Sequence, residues 1–134
     1  MTIVCPDVGE VLLLKYMLNH TAATDVKMHL YVSDITPAED DVVGDYTPNE
    51  ASDSYYTAAT LTGTSWTVAT VTGTSSATYA QQVFSFSGTA NVYGYYVTDN
   101  ADTNLLWAER FDAAPFLLPG GGGQVAINPA IELA

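Results

Sequence analysis

The feature that most constrains this chain is a switch of hydrophobic period at Val26. Before it, Val11, Leu14 and Leu18 recur at helical spacing, with Leu12, Leu13 and Met17 widening the apolar surface, so one short helix is expected over 8–19. Asp7 stands three residues before Glu10, which predicts a capping box with Asp7 as the cap. So broad an apolar surface suits a helix covered on most sides by core, although an oligomer interface would use the same residues. From Val26 onward, Val26, Met28, Leu30 and Val32 alternate with Lys27, His29 and Tyr31, the pattern of a half-buried strand with His29 directed outward.

Between residues 34 and 53 all periodicity is lost. The segment collects Pro37, Gly44, Pro48 and seven acidic residues, Asp34, Glu39, Asp40, Asp41, Asp45, Glu50 and Asp53, and predicts a long surface loop. Beyond Tyr55, runs rich in Thr, Val, Tyr and Phe are separated by Gly63, Gly73, Gly88 and a turn over 99–104. Strands are expected near 56–61, 65–71, 77–86, 92–98, 104–111 and 124–133. A spacing of roughly ten residues favours an antiparallel β-sandwich or barrel-like domain over an α/β plan. The whole chain, 1–134, is expected to be a single β-domain, with 1–20 an N-terminal segment and helix and 34–53 the acidic loop.

Charge narrows the partners. Fifteen acidic residues against Lys15, Lys27 and Arg110 give a formal charge of −12, which repels polyanions and argues against nucleic acid and anionic membrane surfaces. No apolar run reaches the ~20 residues that span a bilayer, and Glu10 and Lys15 interrupt the only stretch resembling a signal peptide, so use without export is expected. Cys5 is the single cysteine and forms no intrachain disulfide; it is read as a small buried hydrophobe.

Residues with catalytic or ligating chemistry are present but form no signature. The acidic loop has the carboxylates of a hard-cation site without the spacing of an EF-hand, so a solvated loop is expected and no metal or other cofactor. A pair of carboxylates in a small hydrolase is a minor alternative, and no pair is selected by position. His20 and His29 are the only histidines, no Ser lies in a Gly-x-Ser-x-Gly context, and structural roles are expected for both. Gly120 to Gly123 lack the Lys and Ser or Thr of a phosphate-binding loop and predict a flexible or tight turn. Asn19-His20-Thr21 matches the glycosylation sequon by letter only. Tyr93 and Tyr95 alternate onto one face and Tyr96 with Val92 onto the other, so one of the two is expected in the core and the other at a contact surface.

These residues together resemble a family of small virion structural proteins of tailed bacteriophages, the capsid decoration or cement type. The resemblance is carried by Pro6-Asp7-Val8-Gly9-Glu10 before the Leu-rich helix, Met28 to Val32 leading into Asp34-Ile35-Thr36-Pro37, and Leu61 to Val68 with Trp66. Val92-Tyr93-Gly94-Tyr95-Tyr96-Val97, Leu105-Leu106-Trp107-Ala108-Glu109-Arg110-Phe111 and the terminal Asn128-Pro129 with Ile131 and Leu133 complete it. It implies a non-enzymatic accessory protein at the capsid surface of the virion, made in the bacterial host cytoplasm. Its partner would be the major capsid protein of the shell, and it would act as a closed homo-oligomer, with a trimer favoured. The expected attachment residues are Ile3, Val4, Pro6 and Val8 in the segment 1–8, together with Tyr93 and Tyr95. A tail-associated or receptor- or carbohydrate-binding β-domain, using Tyr93, Tyr95 or Trp107 as stacking platforms, is the alternative.

Overall fold

A computed structural model describes residues 2–133. The chain is mainly β, with 41% of residues in strands against 16% in helices, and its sheets are antiparallel and do not close into a barrel. The elements in order are β1 (Ile3–Val4), α1 (Asp7–Met17), β2 (Val26–Tyr31), α2 (Val43–Tyr46), β3 (Ala59–Leu61), β4 (Thr67–Val71) and β5 (Thr74–Thr78). They continue with β6 (Gln82–Phe86), β7 (Ala90–Val92), β8 (Gly94–Asp99), β9 (Leu105–Arg110), β10 (Phe116–Leu118), β11 (Gly123–Ile127) and β12 (Ala130–Leu133).

A five-stranded central sheet has the order β1-β9-β8-β2-β3. Three smaller sheets pair β7 with β10, β6 with β11, and β12-β5-β4. Three expected strands, 77–86, 92–98 and 124–133, are each split, because the chain leaves one sheet and joins another at residues 79–81, at Tyr93 and at 128–129. Strands β1 and β10 lie outside every expected strand; each is very short and is held by one neighbour, β9 and β7 respectively.

The main core lies between one face of the central sheet and the smaller sheets, with Met28, Leu30, Tyr95, Val97 and Trp107 meeting Phe84, Phe86, Val92, Leu118, Val125 and Ile127. The opposite face is also covered. Tyr31, Tyr96, Leu105 and Ala108 pack there with Tyr46 of α2, flanked by Ile35 and Val43. The segment 34–53 is therefore a lid on the sheet with its own short helix, not only a surface loop. That corrects the half-buried reading of β2: Tyr31 and His29 share the second face and both are buried. Tyr and His mimic a solvent-facing pattern in sequence because their polar tips are compatible with water, whereas here those tips find partners inside.

Helix α1 departs most from expectation. Asp7 is its first residue, not a side-chain cap; Pro6 holds the cap position and the Asp7 N–H donates to the Glu39 carbonyl at 2.9 Å. The helix meets β9 through Gly9, where an added Cβ would lie 2.3 Å from the Leu106 carbonyl oxygen. Gly9, Leu12 and Tyr16 form the inward stripe, at helical spacing. Val11, Leu14, Met17 and Leu18 are exposed, Met17 and Leu18 at 72% and 71%. The apolar surface anticipated as core is thus largely open, because close contact through a glycine brings the helix down along one narrow stripe.

Candidate functional site

The densest polar constellation surrounds His29. Strand β2 places its ring against Tyr96 of β8, its register partner, with centroids 4.6 Å apart and the planes nearly parallel. His29 Nδ1 lies 2.7 Å from Glu50 Oε1. A carboxylate only accepts, so Nδ1 carries the hydrogen and donates. His29 Nε2 lies 3.1 Å from both Thr98 Oγ1 and Asp102 Oδ1, and the Thr98 hydroxyl donates to that same Asp102 oxygen at 2.9 Å. Lys27 closes the group on Asp102 Oδ2 at 2.8 Å.

Burial acts to raise the Glu50 carboxyl, but hydrogen bonds from His29, Tyr56 and Tyr96 outweigh it and hold Glu50 below the usual carboxylate range. Asp102 is likewise lowered: the hydrogen bonds of Lys27 and Thr98 and the proximity of His29 overcome desolvation. The order Glu50, His29, Thr98 matches an acid, base and hydroxyl relay. A cavity of about 130 Å³ lies beside it, lined also by Val43 and Thr47. Thr98 lines that cavity at 0% exposure, with its hydroxyl donated to Asp102. The network fastens three segments together: β2, the end of the acidic segment, and the turn after β8. His29 was expected to face outward; it is instead enclosed, at 5% exposure.

Four other acidic residues of the segment, Asp34, Asp41, Asp45 and Asp53, have partners of their own. Asp41 accepts from the Ala38 N–H and the Tyr46 hydroxyl, Asp45 from the Val42 N–H, and Asp53 from the N–H groups of Tyr55, Ser87 and Gly88. Asp34 pairs with Arg110 at 2.5 Å. Among the described residues no three His, Cys, Asp or Glu side chains stand together as a metal site. Gly120 to Gly123 form a turn closed by the Gly122 N–H on the Pro119 carbonyl, leading directly into β11.

The expected attachment residues are distributed unevenly. Ile3 and Val4 pair with Glu109 and Ala108 as an edge strand and are half-buried; Val8 is exposed; Pro6 is enclosed. Met1 lies outside the described residues. Tyr93 is half-buried beneath the Arg110 guanidinium, which sits 5.3 Å from its ring centre. Tyr95 is 3% exposed, and Trp107 is buried too, so neither offers a stacking platform. The tyrosine face is not a surface, because both sides of β8 are covered.

Two other regions are open. One is the α1 face of Val11, Leu14, Met17 and Leu18. The other is the sheet β12-β5-β4, where every residue of β4 is exposed. Its hairpin turns at Thr72 and Gly73, with φ of 51° and 83°, a pairing typical of a two-residue turn with both residues left-handed. Glu132 is the only charged residue in these three strands, and β4 has a free edge. Helical spacing in the sequence revealed the apolar residues of α1 but not their exposure, which depends on the Gly9 contact. No known family, curated protein or solved structure matches the chain.

Proposed function

We propose that this chain is a capsid decoration protein of a tailed bacteriophage, a non-enzymatic part of the virion that binds and stabilises the assembled shell. The observation that supports this best is the exposed face of α1. Val11, Leu14, Met17 and Leu18 form an apolar surface at the edge of a chain carrying 15 acidic side chains, where water contact is unfavourable and a partner would relieve it. The occupant is the major capsid protein, as the resemblance implies. Val8 extends the same surface, and Ile3 and Val4 in the edge strand β1 add main-chain groups for strand addition. A closed homo-oligomer, most readily a trimer, fits a repeated lattice.

Contacts of this kind rest on apolar area, so binding should survive moderate salt. A partner that recognises only the assembled shell stabilises it by mass action over every site. The test adds the purified chain to shells lacking it and follows occupancy and heat resistance. Decorated shells should tolerate a higher temperature than bare ones. Full occupancy without any gain in heat resistance would remove the stabilising role.

A further inference from the structure

The cavity between β9 and β11 is lined by a carboxylate that makes no ion pair among the described residues. Its volume is about 360 Å³, and its walls include Tyr95, Glu109, Phe111, Phe116, Ala126 and Ile127. Glu109 is 7% exposed. Its neighbour Arg110 reaches away to Asp34 and the Ile35 carbonyl, and no ion pair among the described residues includes Glu109. Among the described residues only the Tyr95 hydroxyl donates to the carboxylate, in a short hydrogen bond to Oε2. Burial, and then the Glu109 carboxylate, push the Tyr95 phenol up, so it remains a donor at neutral pH. Every enclosed side-chain polar atom among the described residues has a partner. Among the described residues Glu109 Oε1 accepts from none, so it is the accessible oxygen of a carboxylate that lines this cavity.

An aromatic and aliphatic sleeve ending in an acceptor-only oxygen fits one ligand chemistry, an aliphatic stem bearing an ammonium or guanidinium group. We propose that this cavity receives a lysine or arginine side chain of a partner protein, with its stem along Phe111, Phe116 and Ile127 and its charged head on Glu109 Oε1. Charge favours a separate, basic partner over a second copy. The chain carries −12, and of its three cations Lys27 and Arg110 are already paired. The site does not depend on the shell-binding reading, because it is assayed with the isolated chain and small probes.

The experiment titrates the full chain with N-acetyl-lysine amide and with N-acetyl-norleucine amide, whose stem is similar but uncharged, following resonances of Phe111, Phe116 and Ala126 by NMR. The lysine probe should bind at least about tenfold more tightly, the scale of one charge-assisted contact. Glu109→Gln, which keeps an acceptor for Tyr95, should abolish that preference. Ala126→Leu, at an exposed position on the cavity wall, should block both probes and guards against a folding defect in E109Q. Equal binding of the two probes by the wild type, a preference that survives E109Q, or lysine binding unchanged in Ala126→Leu would each overturn the site. Sedimentation supplies the last arm: a wild-type oligomer dissociated by Lys15→Gln would make the occupant a second copy and overturn the assignment to a separate partner.

Discussion

Strands β8 and β4 are of similar length and both are rich in residues that favour sheets, yet every residue of β8 is buried and every residue of β4 is exposed. Strand β8 lies between β2 and β9, with the smaller sheets on one face and Tyr46 of the acidic segment on the other. Strand β4 hangs beyond β5 at an edge, where one neighbour supplies its ladder and nothing encloses its side chains. The difference shows that enclosure here is decided by which segments fold over a strand, not by the strand's composition. It also divides the molecule into a region that carries stability and regions available for contact.

Truncation should separate the two most sharply. Leu30→Ala, in the main core, is expected to lower unfolding free energy by about 2–5 kcal/mol, whereas Val68→Ala on β4 should change it by no more than about 0.5 kcal/mol. Urea denaturation of both variants checks this, and similar losses would erase the division. His29→Ala comes next. It removes the ring that bridges Glu50 and Asp102 and leaves Glu50 without the Nδ1–H donor, and a loss of about 1–3 kcal/mol is expected in the same assay.

The acidic groups sharpen the comparison through pH. Glu50, Asp99 and Asp102 have folded values below the ordinary carboxylate range. For a lowered carboxylate the stabilisation is present above the unfolded value, near about 4, and is lost as pH falls through the folded value. The melting temperature should therefore fall on acidification from about pH 5 downward, and Asp102→Asn should flatten that fall, as a thermal series would record. Strain replaces lost contact at the β4–β5 turn, where Gly73→Ala meets open space but must hold a φ of +83°, costing about 1 kcal/mol.

Sequence pattern made much of this fold legible. The switch at Val26 marked the change from helix to strands, and the Thr72–Gly73 and 99–104 turns lie where their residues predicted. What escaped it came from long-range contact. Nothing local in Tyr46 indicates that it closes the second face of β2 and β8, so His29 was expected at a surface it does not reach; Tyr95 was expected at a surface that the smaller sheets cover from the other side. In α1 the apolar residues were visible but their partner was not, because Gly9, which lacks a side chain to signal burial, makes the contact. Glu109 escaped notice for a related reason: its isolation from cations exists only once Arg110 is directed to the other face.

The division between enclosed sheet and open contact regions is tested most directly by shell occupancy with a variant of α1. Leu14→Asp together with Leu18→Asp puts charge on exposed positions and should leave the melting temperature nearly unchanged. Added to shells lacking the chain, this variant should show at most about a tenth of wild-type occupancy, since each buried leucine contributes roughly 1.5–3 kcal/mol. Wild-type occupancy by the folded double variant would contradict the account.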